Sequence, residues 1–244
     1  MEQGDARSAA GNSTEPFVGG ANRRIADAVT QNYLKLFCDE YFLCQQADTL
    51  VFRSPALTRY IFEMLNLMNF APTKFVCCLR DPRDACLSIL EWNAKLVSSG
   101  AKPVLRRQDA HAAAEFFMGY YNRILRFRDV VEKRDVKFLK YEESVSAPAE
   151  TVAALGGFTG LDLSAFDPSA QWPENSHDFQ AESDLNFAVT PLYGQAPSAT
   201  QIGRYKTVLS DEDVTAIETV CRTYMDQFGY EPRSAAPVAE TEVA

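Results

Sequence analysis

The stretch Lys74-Phe75-Val76-Cys77-Cys78-Leu79-Arg80-Asp81-Pro82-Arg83-Asp84-Ala85-Cys86-Leu87-Ser88 leaves the backbone little choice: an apolar run, an arginine-rich turn, then a helical pattern. Phe75 to Leu79 is bulky or sulfur-bearing throughout, as expected of a strand buried on both faces of a parallel sheet. Pro82 has no backbone N–H and fits only the first turn of a helix, so strand gives way to helix between Arg80 and Asp84. In open α/β sheets ligands sit at the carboxyl ends of strands, where the following helix offers free N–H groups to anions. Arg80 stands at that end, and Ser88 follows about two helical turns later. Taken alone, Arg-Asp-Pro-Arg-Asp is equally a helix start with surface ion pairs.

The flanking sequence repeats the same alternation. Ile25, Val29, Leu34, Phe37, Tyr41 and Cys44 recur at helical intervals between Asn22 and Cys44, and Thr49 to Phe52 reads as a short strand ending at Arg53-Ser54-Pro55. Leu57, Tyr60, Ile61, Met64, Leu65 and Met68 step by three and four, and a further helix carries Ala113, Phe116, Phe117, Tyr120, Ile124, Phe127 and Val131 on one face. Val136 to Tyr141 is a third strand, and 142 to 158 suits helix. Strands alternating with helices imply a three-layer α/β fold, a mainly parallel sheet flanked by helices. Residues 159 to 203, rich in Asp, Ser, Pro and Gly, read as a long surface excursion. Ser210-Asp211-Glu212-Asp213 marks the start of a last helix, with an apolar face from Val214 to Phe228 and Gly229 to end it. The expected organisation is a disordered tail over 1–20, one domain over 21–231 and a second disordered tail over 232–244.

Charge narrows the partners. Tyr141 to Gly203 holds nine acidic residues and no Lys or Arg, which leaves 24 acidic against 24 basic elsewhere and accounts for the net charge of −9. Nothing here offers the clustered cationic face that sequence-independent nucleic-acid binding needs. No run approaches the ~20 apolar residues that span a membrane, and the opening residues do not resemble a secretory signal, so a cytoplasmic location is expected. The six cysteines form no C-x-x-C pair and read as buried thiols, and no metal site is expected.

Four segments, in order, resemble the sulfotransferase family. The arginine closing a strand with a serine eight positions later resembles its 3′-phosphate-binding motif. Phe138-Leu139-Lys140-Tyr141-Glu142-Glu143 is similar to its strand ending in Tyr-Glu-Asp. Gln201-Ile202-Gly203-Arg204-Tyr205-Lys206 looks like its C-terminal Gly-Arg-Trp-Arg region. Val51-Phe52-Arg53-Ser54-Pro55 resembles a strand that there ends in Lys-Ser-Pro or Lys-Thr-Pro. The resemblance implies a P-loop NTPase-like sulfotransferase fold. It implies 3′-phosphoadenosine 5′-phosphosulfate as donor, adenosine 3′,5′-bisphosphate as product, no metal, and a small-molecule or carbohydrate acceptor. Arg80, Ser88, Gly203 and Arg204 would hold the 3′-phosphate, Tyr141 would approach the adenine, and Arg53 with Ser54 would lie near the transferring group.

Each of these segments has a plainer reading: Tyr141 as a core tyrosine, Arg204 as a surface arginine, Ser54 as a helix cap. The family's Arg-Ser-Gly-Thr-Thr-like loop, which cradles the 5′-phosphosulfate, finds no counterpart, so the fold is expected to be N-terminally incomplete. Phe17 to Arg24 has a glycine pair and an arginine but no Ser or Thr to finish a cradle, and a polar tail entering a helix is expected there. His111 and His177 both read as surface residues, and the acceptor's base is left unassigned. Two functions stay open: sulfuryl transfer to a hydroxyl or amine, or a truncated or degenerate domain that binds the bisphosphate or a partner without catalysis. G-x-x-x-x-G-K-[ST] is absent, which speaks against a phosphotransferase.

Overall fold

The computed structural model describes residues 30–32, 35–36, 38–40, 49–51, 58–67, 72–130, 135–170 and 196–233. They fall into two units, one drawn from 1–52 and 65–72, the other from 53–64 and 73–244. In the first unit the described residues between 30 and 40 are helical, and Cys38 is buried. Thr49 to Val51, expected as strand, carries no strand conformation. A strand is held by ladder bonds to a neighbour, and these three residues make none among the described residues. Arg53 and Ser54 lie outside the described residues, as do His177, the 1–20 tail and residues 234–244 of the second tail.

Helix α1 (Ile61–Leu67) precedes strand β1 (Phe75–Leu79), which gives way at Pro82 to helix α2 (Pro82–Ser98). Asp81 caps α2 by accepting from the Arg83 N–H, and Pro82 occupies its first turn. Helix α3 (Ala110–Val130) then returns the chain to strand β2 (Val136–Lys140), which pairs parallel to β1 in a register running from Phe75 opposite Val136 to Leu79 opposite Lys140. The remaining described elements are helices: α4 (Tyr141–Ser146), α5 (Pro148–Thr159), a 3-10 turn (Ala199–Gln201), α6 (Tyr205–Val208), α7 (Asp211–Val220) and α8 (Arg222–Phe228). The result is a small parallel sheet flanked by helices.

Strand β1 differs from expectation in its burial. Cys77 and Leu79 are buried, while Val76 and Cys78 on the opposite pleat are exposed. Side chains alternate along a strand, so a run that is apolar at every position still covers a core on one face only. Burial pushes the Cys77 thiol up to about 12, which leaves it an unreactive packing group at neutral pH.

Helix α3 packs against α2 and α7, and the core between them contains Cys86, Phe117, Ile124, Val214, Ile217 and Met225. The expected single C-terminal helix is divided at Cys221. The Cys221 N–H still donates to Ile217 and its carbonyl still accepts from Met225, so the ladder continues through a local bend that no Gly or Pro announces. Ser210 caps α7 by accepting from the Asp213 N–H at 3.1 Å, and Gly229 ends α8 in the left-handed region at φ 68°. Through this geometry α8 delivers Tyr224 to the sheet. Its ring lies 5.1 Å from Phe117 and 5.0 Å from Tyr121, fully buried, with the hydroxyl at the carboxyl end of β1.

Among the described residues no helix is long and apolar enough to cross a membrane, and no group of His, Cys, Asp or Glu is arranged to hold a metal.

Candidate anion site at the end of strand β1

The first residue past β1 is Arg80, and its backbone is fixed twice by one side chain. The Tyr224 hydroxyl accepts from the Arg80 N–H at 3.2 Å and donates to the Arg80 carbonyl at 3.1 Å. A hydroxyl can do both at once, and here it closes the open end of the sheet. Burial pushes the Tyr224 phenol well above its ordinary range, so the hydroxyl keeps its proton at neutral pH. Tyr224→Phe is expected to strand the Arg80 N–H and destabilise the protein by about 1–3 kcal/mol. Chemical denaturation of the two forms measures this, and an unchanged midpoint contradicts it.

The Arg80 side chain is placed but not neutralised. Its guanidinium lies 4.8 Å from the Tyr141 ring centroid, and Nη1 and Nη2 make long contacts of 3.4 Å with Ser88 Oγ and the Gln201 carbonyl. The Ser88 hydroxyl donates to the Asp84 carbonyl at 3.0 Å and so turns its lone pairs to Arg80. Arg80 Nε is buried and has no hydrogen-bond partner among the described residues. Among the described residues no carboxylate lies within ion-pair distance of this guanidinium. A cation set into a part-buried site without a counterion and with an idle donor is suited to an anion arriving from outside.

Three residues on, Arg83 has the opposite surroundings. Only 5% exposed, it forks onto Asp81 at 2.6 Å and 2.9 Å and meets Glu218 Oε1 at 2.7 Å. It also donates to the Glu231 carbonyl at 3.0 Å and lies over the Tyr205 ring. Burial works against its charge, but the bonds to Asp81 and then Glu218 outweigh that and hold its proton more tightly than usual. The Arg-Asp-Pro-Arg-Asp run therefore divides its work, one arginine closing the fold and the other left open.

Asp84 is the residue that sequence reasoning missed. It is 2% exposed, and its carboxylate accepts from the Gly203 N–H at 2.6 Å and the Tyr205 N–H at 2.9 Å. Gly203 makes this possible at φ 73°, a left-handed conformation that a side chain resists. Gly203 thus gives its amide to Asp84, and the loop from Gln201 to Tyr205 is laid along α2. Arg204, on the same loop, forks onto Glu91 at 2.6 Å and 3.2 Å and donates to Gln201 Oε1 at 2.9 Å. It stands beside Arg80 through Gln201, with its charge already matched.

Tyr141 does not close β2 but opens α4, and its hydroxyl donates to the Ser198 carbonyl at 3.2 Å. Its neighbour Glu142, also missed, ties three segments together: Oε1 accepts from the Asp81 N–H at 2.8 Å and Oε2 from the Tyr230 hydroxyl at 3.1 Å. Glu142 thereby sets the ends of β1 and β2 at a fixed spacing. Arg80, Ser88, Tyr141, Gly203 and Arg204 are all brought to this one region. His111 is elsewhere, at the start of α3, 3.7 Å from Glu115 on its own helix.

A family model described as "Sulfotransferase family" matches residues 14–165. No curated protein matches. Among solved structures, the "Sulfotransferase Domain from the Curacin Biosynthetic Pathway" is similar in fold, with a TM-score of 0.56 and 17% identity over 80% of this chain and 68% of that one.

Proposed function

Since the chain belongs to the sulfotransferase family, we propose that the open cation at the end of β1 holds the 3′-phosphate of 3′-phosphoadenosine 5′-phosphosulfate, and that the protein transfers the sulfuryl group to a hydroxyl or amine of a small-molecule or carbohydrate acceptor. The observation that carries this reading is Arg80: buried at Nε, unmatched by a carboxylate among the described residues, and paired with Ser88 on the first turns of α2.

In this reading Arg80 supplies the charge and a planar fork, and Ser88 supplies a hydroxyl that rotates to donate to a phosphate oxygen. The Tyr141 ring offers an aromatic face beside the same cation, suited to a purine. When bound, the donor supplies a sulfuryl group whose bond to the 5′-phosphate breaks as one to the acceptor oxygen or nitrogen forms, and the acceptor's proton is released. Arg53 and Ser54 are the proposed groups near that transfer, with Arg53 stabilising the charge that builds on the leaving phosphate. The sulfuryl group carries less charge than a phosphoryl group, so the transfer needs no metal. If the carboxylates of the 141–203 segment border the acceptor entrance, highly anionic polysaccharides are poor acceptors, because like charges repel.

A transfer assay with radiolabelled donor and a panel of phenols, aliphatic alcohols, amines and neutral oligosaccharides tests the proposal. Labelled product that forms with the full chain, and not with Arg80→Ala, is the expected result. Adenosine 3′,5′-bisphosphate binding without transfer to any member of the panel assigns the non-catalytic, ligand-binding alternative. Neither binding nor transfer rejects both.

A further inference from the structure

We propose that Glu91 is a built-in competitor of the donor's phosphate for Arg204, so that this one carboxylate sets how tightly the donor is held; the inference rests on the reading of the Arg80 site given above. Asp84, Ser88 and Glu91 lie at i, i+4 and i+7 on α2 and form one face. Each meets a different part of the opposing residues: Asp84 pins the Gly203 and Tyr205 amides, Ser88 meets Arg80, and Glu91 meets Arg204.

Gln201 joins the two cations. Its carbonyl accepts from Arg80 and its side-chain oxygen from Arg204, so both guanidinium groups flank a single residue. An anion at Arg80 and Ser88 therefore arrives within side-chain reach of Arg204, whose fork is already closed on Glu91. That ion pair is 32% and 42% exposed on its two sides, which makes it weak and exchangeable. The backbone of the loop, by contrast, is held by the buried Asp84, so Arg204 can change partner by rotating its side chain while Gly203 and Tyr205 stay in place. Glu91 thus keeps a second phosphate cation in reserve.

Calorimetric titration of adenosine 3′,5′-bisphosphate into wild type, Glu91→Gln, Arg204→Ala and the double variant tests the latch, with thermal unfolding showing that each form is folded. Glu91→Gln is expected to tighten binding by about tenfold, and Arg204→Ala to cost about tenfold in the Glu91→Gln background but threefold or less in wild type. A gain that survives removal of Arg204 is a general field effect of one fewer negative charge and overturns the latch, as does unchanged or weaker binding by Glu91→Gln. Arg80→Ala separates the two failures. Binding that depends on Arg80 yet ignores Glu91 refutes the latch alone, whereas wild-type binding that is absent or indifferent to Arg80 refutes the donor-site reading and the latch with it.

Discussion

Arg83→Ala is expected to destabilise the protein by about 3–5 kcal/mol, the range measured when one partner of a buried ion pair is deleted. For a domain of this size that corresponds to a melting temperature lower by about 10 °C. The loss comes less from the removed bonds than from what stays behind. Asp81 and Glu218 carry side chains only 13% and 15% exposed, and without Arg83 each is a poorly solvated carboxylate without its cation. The Glu231 carbonyl and the Tyr205 ring lose a partner in the same stroke. Glu218 lies on α7 and Asp81 caps α2, so the variant loosens the attachment of the C-terminal helices to the turn between β1 and α2. Arg83→Lys keeps the charge but cannot fork onto Asp81 while reaching Glu218, and an intermediate loss is expected. Calorimetric unfolding measures both; a shift of under 2 °C for Arg83→Ala contradicts the account.

Arg80→Ala is expected to behave in the opposite way. Affinity for adenosine 3′,5′-bisphosphate should fall by about 100-fold, as when a desolvated partner of a charged hydrogen bond is removed. Stability should not fall with it. Among the described residues Arg80 Nε has no partner, and the guanidinium rests on long contacts of 3.4 Å, so the free protein carries a cation whose desolvation little repays. The expected change in unfolding free energy is within about 1 kcal/mol, with a gain as acceptable as a loss. Two arginines three positions apart therefore give opposite signatures, one in the melting curve and the other in the binding isotherm. Loss of stability comparable to that of Arg83→Ala would make Arg80 a structural residue and remove the argument for an anion site.

This division of labour could not be read from the sequence, although the segment that contains it could. Pro82 fixed the strand-to-helix switch because its missing N–H admits one position only, and Ser210 and Gly229 marked the last helical region for equally local reasons. Arg80 and Arg83 look alike locally. What separates them is the Asp81 carboxylate, turned onto Arg83, and Glu218, 135 residues away on α7, which reaches one and not the other. Asp84 is hidden in the sequence for the same reason: an acidic residue in a helix's first turn is ordinarily explained by the dipole, and only the folded chain brings the Gly203 and Tyr205 amides onto it. A glycine followed by arginine after a long acidic loop was the available hint that backbone would approach something closely there.

Other differences also arise from distant neighbours. Phe75 to Leu79 reads as doubly buried because every residue is apolar, yet burial depends on what lies over each pleat, and Val76 and Cys78 are exposed. The break at Cys221 has no breaker residue, since the hydrogen-bond ladder passes through it. Arg204 carried the right chemistry for phosphate, but Glu91 stands one helical turn past Ser88, close enough to claim it first.

Direct contact between Arg80 and the 3′-phosphate is tested by a four-way binding cycle. Adenosine 3′,5′-bisphosphate and adenosine 5′-monophosphate are titrated into wild type and Arg80→Ala. Deleting the 3′-phosphate or the guanidinium should each weaken binding by about 100-fold, and deleting both should cost no more than either alone, because one contact is being removed twice. Losses that multiply, so that Arg80→Ala weakens the monophosphate as much as the bisphosphate, would place Arg80 away from the 3′-phosphate and contradict the account.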